Sequence, residues 1–454
     1  MVKIMKTFIK NGQLIDPKNK INSRLNLLLE DGRVADITRD DAANADIVID
    51  ATGLIVTPGF IDIHMHEDPL NDDGTLAVSI TRSMLAMGVT TALGGNCGLN
   101  VADPVTYLDN IDRYGAPVNM ALLAGQGWLR EKVSKADKYS TISRDEIAKE
   151  AKEAKRALDG GCMGLSYGMR YVPGLTEEEY EATATLCCRT DRLVAAHVRD
   201  DAAGIFTAGE EFISVARRLD LNTEFSHIGS MAGFGQMEEF LRYIDETRAR
   251  GMNLHCDCYP YYAFSTHIGS TTYDPGFLER YNTDYSVVEM CEGKYKGQRC
   301  TEEIYNYYRK YDPNAITVCH VMRQEDVDMA LAHPGVMLGS DGLINKGQGH
   351  PRASGAFPRL IAEFVKKGVL SLYDAIAKMT SMPAEKLCLP NKGHLGRGAE
   401  ADVTIFNLQT IKDNATFASP MTSPDGIEYV IIGGRLALKN GKIVNETLGR
   451  AVRK

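Results

Sequence analysis

The apolar positions of this chain change their period along its length. From residue 4 to 56 they come in short runs separated by turn dipeptides: Thr7-Phe8-Ile9-Lys10 before Asn11-Gly12, Leu25 to Glu30 before Asp31-Gly32, then Ile47 to Ile49. Runs of this kind predict short strands joined by tight turns. Residues 402–444 repeat the arrangement, with Asp402 to Phe406, Ile427 to Ile432 ahead of Gly433-Gly434, and Leu436 to Lys439 ahead of Asn440-Gly441. The two ends are therefore expected to pair into one small β-sandwich.

Between them, apolar runs alternate with segments of helical period. Thr57-Pro58-Gly59-Phe60-Ile61-Asp62-Ile63-His64-Met65-His66 reads as a buried parallel strand that ends in two imidazoles. Ser143 and Glu146 form a capping box ahead of Ile147, Ala151, Ala154 and Leu158, which share one helical face before Gly160-Gly161. Thr176 and Glu179 repeat the spacing. Eight strand–helix units can be followed, ending near His66, Cys97, Gly125, Ser166, His197, His227, Asp257 and Asp341. Such alternation predicts the α/β class, a (β/α)8 TIM-like barrel over residues 58–397, with the sandwich built from 1–57 and 398–454. The segment Thr271 to Asn314, rich in tyrosine and charge, falls between the seventh and eighth strands and reads either as a lid or as a solvated insertion.

Composition narrows the function classes. The chain of 454 residues is 44% hydrophobic and 24% charged, as in a soluble globular protein, and no apolar run approaches the ~20 residues of a membrane span. Met1-Val2-Lys3-Ile4-Met5-Lys6 lacks the apolar stretch of a signal peptide, so a cytoplasmic location is expected. Ten cysteines, among them Cys187-Cys188 and the Cys256/Cys258 pair, follow no secreted disulfide framework and suit a reducing compartment. A formal charge of −9 without any basic block argues against nucleic acid as a partner. A small-molecule substrate remains, with self-association into a homo-oligomer left open.

Candidate chemistry sits at the strand ends. His64 and His66, at i and i+2 on a strand, face the same side and can share one ion. Cys97 in Gly94-Gly95-Asn96-Cys97-Gly98, His197, His227 and Asp341 complete a set of residue types that bind zinc. Each has a plainer reading: a satisfied core histidine, a small buried thiol, or an aspartate capping a turn. Together they are less ordinary, because a barrel delivers its strand ends to one face. Metal binding is therefore expected.

At this level the chain resembles the N-acyl-D-amino-acid deacylases (D-aminoacylases) of the amidohydrolase superfamily. The resemblance is carried by Pro58-Gly59-Phe60 with His64-x-His66, Asn96-Cys97-Gly98, Gly164-Leu165-Ser166, His197-Val198-Arg199, Ser226-His227, Asp257-Cys258-Tyr259-Pro260-Tyr261, Gly339-Ser340-Asp341-Gly342 and His350-Pro351-Arg352. It runs from about residue 7 to 445. It implies a distorted (β/α)8 barrel with a small β-sandwich from both termini, and zinc-dependent amide hydrolysis. Many amidohydrolases bridge two metals with a carboxylated lysine on the fourth strand, yet Gly161 to Gly168 contains no lysine. The resemblance assigns that place to Cys97, with His197 and His227 completing a tight zinc site. His64, His66 and Asp341 then line a weaker neighbouring half-site, and Asp341 serves as general base and acid.

Substrate recognition is expected to need a cation for the carboxylate of an N-acyl amino acid. In many members of the family a lysine follows the sixth-strand histidine by two positions, whereas Gly229 stands here. Arg199, Arg352 and Arg170 are the replacement candidates, against a structural pairing with Asp200, Asp201 or a loop carbonyl. Tyr261 and Tyr262 read either as pocket walls or as packing. The rival classes are a cyclic-amide hydrolase of the dihydroorotase or hydantoinase kind, a deaminase on the same barrel, and a metal scaffold without activity.

Overall fold

The computed structural model describes residues 5–40 and 44–454. Eight parallel strands follow one another around a barrel in chain order: Phe60–Asp62, Val89–Gly94, Asn119–Gly125, Gly164–Gly168, Leu193–His197, Asn222–Phe225, Leu254–Cys258 and Val336–Leu338. The ring closes just beyond the first and eighth strands, where Asp341 N donates to the His64 carbonyl at 2.7 Å and His66 N to the Gly342 carbonyl at 2.9 Å. Closure therefore runs through three of the candidate ligands. Ile61, Ile63, Leu93, Leu123, Met163 and Met337 are among the buried residues of one cluster fed by strands from around the ring. These strands read as unbroken apolar runs because both of their faces are covered.

The two ends of the chain form one nine-stranded sheet. Its halves join where Ile55–Pro58 pairs antiparallel with Val403–Phe406, and Ile9, Leu27, Val56, Val403 and Ile431 share a buried core. The turns at Asp31-Gly32, Gly433-Gly434 and Asn440-Gly441 form, all with positive φ. Asn11-Gly12 does not turn the chain. Strand Lys6–Asp16 runs straight through it with a bulge between Ile9 and Gly12, Asn11 taking φ 66°. A side chain at position 12 would collide with Val56 Cγ2 at 2.5 Å, so glycine here serves close strand packing. A second departure lies at the C-terminus, where residues 449–451 leave the sheet and bridge to Ala116 and Met120 at the floor of the barrel.

Helix Arg144–Asp159 has both halves of its capping box, Ser143 Oγ accepting from Glu146 N and Ser143 N donating to the Glu146 carboxylate. At helix Glu177–Ala184 only the first half forms. Glu179 turns inward instead, to Arg130 Nη1 at 2.6 Å and Gln126 Nε2 at 2.7 Å. The insertion after the seventh strand folds as a small unit of its own, a sheet of Phe264–His267, Ile316–Cys319 and Val288–Met290 with helix Glu302–Tyr311. Thr271, Thr272, Tyr281, Pro313 and Asn314 from this unit line the cavities above the barrel.

Candidate metal centre

Two groups of ligand-type atoms meet at the C-terminal mouth of the barrel. One comprises His64, His66, Cys97 and Asp341, the other Cys97, His197 and His227, and within each group all the atoms lie within 4.8 Å of one another. Cys97 belongs to both. Its Sγ lies 3.3 Å from His227 Nε2 and 3.5 Å from His64 Nε2. Asp341 Oδ1 lies 3.1 Å from His66 Nε2 and 3.6 Å from His64 Nε2.

Local backbone conformation aims these groups. Cys97, His227 and Asp341 adopt φ of 54°, 37° and 49°, a region that costs a non-glycine residue of order 1 kcal/mol and recurs at functional sites. The Cys97 loop is clamped from the fourth strand: Ser166 Oγ donates to the Gly95 carbonyl and accepts from Gly98 N. Gly95 is required, since a Cβ there would lie 2.0 Å from the Leu123 carbonyl oxygen. Behind the candidate ligands, Asp257 Oδ2 holds His64 Nδ1 at 3.0 Å and Ser230 Oγ holds His227 Nδ1 at 2.9 Å. Both contacts turn the Nε2 atoms toward the centre, as outer partners of metal-binding histidines do.

The electrostatics follow from burial and crowding. Burial works to raise the Cys97 thiol, but the imidazoles of His227 and His64 outweigh it and hold the group well below its ordinary range, as thiolate. Burial likewise works against a charged His66, yet hydrogen bonds to Asp341 and Cys97 push it up to about 9. For Asp341, the Arg352 guanidinium, His227 and the His66 hydrogen bond overcome desolvation and keep the carboxyl well below the carboxylate range. His197, buried beside His227, is lowered. Its Nδ1 is buried with no hydrogen-bond partner.

A cavity of about 470 Å³ opens above this cluster, lined by His66, Asp341, Arg352 and Tyr171, with Leu99, Val101 and Leu343 on its apolar side and Lys138 among its outer residues. Of the three arginine candidates, Arg352 is placed there. It is 2% exposed, its Nη2 lies 2.9 Å from Asp341 Oδ2, and its guanidinium stacks over Tyr259 at 4.5 Å. Its Nε and Nη1 are buried without partners. Arg170 lies close to the inner wall but pairs with Asp200 at 3.1 Å and Asp201 at 3.2 Å. Arg199 departs from expectation, because Glu211 takes its Nε and Nη2 while the Pro173 and Leu175 carbonyls take Nη1 and Nη2. Four of its five N–H groups are engaged within the fold. Tyr261 also belongs to packing, its hydroxyl donating to Asp413 at 2.6 Å under the Arg359 guanidinium. A Cβ at Gly229 would lie 2.9 Å from Cys258 Sγ and 3.2 Å from Met322 Cε, so a longer side chain there requires repacking.

Sequence reading missed three contributors. The Tyr171 ring lies 4.6 Å from His197 and lines both cavities, Asp257 orients His64, and Glu67 ties down the Cys97 loop through Gly95 N at 2.7 Å. Asp257 carried a usable signal, an acid at a strand end opposite a paired-histidine strand. Tyr171 carried none beyond following a recognised motif.

Comparison with known proteins agrees with this geometry. The model of the Amidohydrolase family matches residues 47–162 and 312–437, more than half of the chain. D-aminoacylase of Alcaligenes xylosoxydans xylosoxydans is 31% identical, the match covering 98% of this chain and 96% of that one. N-acyl-D-glutamate deacylase from the same organism is 29% identical over 94% of this chain and 92% of its own. Among solved structures, the N-acyl-D-glutamate deacylase of Bordetella bronchiseptica, complexed with zinc and a phosphonate mimic of the tetrahedral intermediate, superposes with a TM-score of 0.89 at 27% identity, covering 99% of this chain and 100% of that one. The barrel, the terminal sheet and these matches place the chain in the amidohydrolase family, within its N-acyl-D-amino-acid deacylase branch.

Proposed function

We propose that this protein is a zinc-dependent hydrolase that splits an N-acyl amino acid into a carboxylic acid and a free amino acid. Cys97, His197 and His227 hold the tight ion, and His64, His66 and Asp341 form a weaker half-site across the same thiolate. The carrying observation is Cys97, one buried sulfur within 3.5 Å of imidazoles from both groups. The donor set fits zinc: a soft thiolate, imidazoles turned by Asp257 and Ser230 to offer Nε2, and a carboxylate. Ser166, committed to the Cys97 loop, occupies the strand where a carboxylated lysine would otherwise serve.

When bound, zinc supplies Lewis acidity toward the amide carbonyl and makes water nucleophilic at neutral pH. The remaining steps belong to the chain. Asp341, ionised because Arg352 and the imidazoles hold its carboxyl down, accepts the proton of the attacking water and returns it to the nitrogen of the departing amine. Arg352 offers its two unpartnered donors to the substrate carboxylate, replacing the lysine that Gly229 lacks. Leu99, Val101 and Leu343 provide the apolar side of the cavity for the rest of the molecule.

The relatives' activities support the D enantiomer as substrate. A cyclic-amide hydrolase is disfavoured by the lysine-free fourth strand. The decisive experiment is a screen of N-acetyl and N-formyl D- and L-amino acids, their amides, hydantoins and dihydroorotate, with metal analysis of the same sample. Turnover of free-acid N-acyl amino acids that disappears on chelation is expected. Turnover confined to neutral cyclic amides overturns the proposal.

A further inference from the structure

The two cavities above the barrel are unequal, and the inequality orients a substrate. Beside the wide cavity of about 470 Å³ lies a narrow one of about 20 Å³, lined by Tyr171, His197, His227, Met231, Phe264 and Asp341, with room for little more than one water-sized group. Asp341 and Tyr171 border both, whereas Arg352 borders only the wide one. On the proposed reading, Arg352 takes the substrate carboxylate and Asp341 protonates the departing nitrogen. The amino-acid half carries both groups and therefore fills the wide cavity, side chain included, while the acyl half points into the narrow one.

The wall of the wide cavity describes the side chain it suits. Leu99 and Val101 are 48% and 49% exposed although the loop between them is fixed, Asn100 Oδ1 accepting from Gly125 N at 2.8 Å and Nδ2 donating to Glu67 at 3.1 Å. Anchored apolar surface of this kind fits an aliphatic stem. The charged groups point to what ends the stem. Asp341 pairs with Arg352, and Glu67 spends its oxygens on Gly95 N, Asn100 Nδ2 and Val101 N. Lys138 has no ionic partner among the described residues. Its Nζ lies 3.4 Å from the Gly269 carbonyl and 5.4 Å from the Tyr139 ring centre, which leaves two of its three N–H groups unspent. The backbone beneath it is held, the Lys138 carbonyl accepting from Gly174 N at 2.9 Å and the Tyr139 hydroxyl donating to Asp274 at 2.6 Å. We infer that Lys138 is a specificity-determining residue that receives the carboxylate of an acidic side chain. The substrate is then an N-acyl amino acid with a second anion on an aliphatic stem, as in glutamate. Arg352 and Lys138 hold the two carboxylates of one molecule. This inference rests on the deacylase reading and on Arg352 as the carboxylate clamp.

An isosteric pair of substrates isolates the charge. Wild type should hydrolyse N-acetyl-D-glutamate with kcat/KM about tenfold above that for N-acetyl-D-glutamine, the low end for a hydrogen bond to a charged group because Lys138 is half-buried. Lys138→Met keeps the stem and loses the charge, so the ratio should fall to within about threefold of unity, the change lying in KM. Lys138→Glu should invert the ratio, since like charges then face each other. Equal handling of the two substrates by wild type, or a wild-type ratio that survives in Lys138→Met, overturns the role given to Lys138. A zinc-loaded protein that hydrolyses no N-acyl amino acid overturns the deacylase reading instead. Calorimetric affinities for the same two compounds then still judge Lys138, and equal affinities in wild type and Lys138→Met overturn its role.

Discussion

Replacing Arg352 by Met tests the substrate half of the proposal most sharply, because one guanidinium performs two separable tasks. Met preserves the stem and much of the contact over Tyr259 while removing the charge. The first task is the carboxylate clamp. A hydrogen bond to a charged group is worth ~1.5–3 kcal/mol, so KM for a free-acid substrate should rise roughly ten- to a hundred-fold, with little change for the corresponding amide. The second task is electrostatic. Arg352 Nη2 lies 2.9 Å from Asp341 Oδ2, and among the groups that hold the Asp341 carboxyl down it comes first. A depressed carboxyl keeps its ionised form down to low pH. Without Arg352 the carboxyl rises, and the acidic limb of kcat/KM should move to higher pH. Breaking a buried pair on one side typically costs ~3–5 kcal/mol, so the melting temperature must be followed alongside the kinetics. Arg352→Lys serves as the control, retaining the charge beside Asp341 but not the planar fork, and should restore the acidic limb more fully than KM. The assay is steady-state hydrolysis of an N-acetyl amino acid and its amide across pH. A variant that discriminates acid from amide as wild type does would refute the clamp, and an unmoved acidic limb would refute the coupling to Asp341.

The other expectations are simpler. Cys97→Ala should lose tight zinc and activity together while the barrel stays folded by circular dichroism; full zinc content and turnover in this variant would remove Cys97 from the centre. Asp341→Asn should lower kcat by ~10²-fold or more, with zinc at Cys97, His197 and His227 retained, and an unchanged kcat in metal-loaded protein would show that the proton is handled elsewhere. A pH dependence of stability should come from the buried pair Glu150 and Glu179. Desolvation, then the charge of Glu179, pushes Glu150 up to about 9 from an ordinary value of 4.5, so the folded state holds a proton that the unfolded state releases between those limits. That contribution is complete below about 4.5 and fades as pH climbs toward about 9. Glu150→Gln should flatten this slope, and melting curves at pH 5 and 8.5 that remain parallel for the two proteins would count against it.

The parts of this fold that could be read from the chain are those whose signal is local. Each barrel strand is covered on both faces, so Asn119–Gly125 and Leu193–His197 appear as apolar runs broken where the chain reaches the mouth. Turns were legible for the same reason, and Asn11-Gly12 misled because an asparagine with positive φ serves a bulge as readily as a hairpin. Only the approach of Val56 decides between them, and that contact depends on a strand more than forty positions away.

The site divides along the same line. A barrel carries the ends of its strands to one rim, so His64, His66, Cys97, His197, His227 and Asp341 could be collected by type and position before any distance was known. What a side chain does after leaving the rim is decided by partners the rim does not announce. Arg199 stands two residues beyond His197 and shares its motif, yet Glu211 on the following helix and two loop carbonyls claim it. Arg352 looked no better in sequence and lines the cavity, where its Nη2 meets Asp341 and its Nε and Nη1 are left without partners. Asp257 stands on the seventh strand, and His64, on the first, reaches it only because the ring closes. Candidate ligands recur at equivalent points of successive units and can be found one at a time. Their supports are pairings between units, set by closure of the ring, and no single segment of the chain contains them.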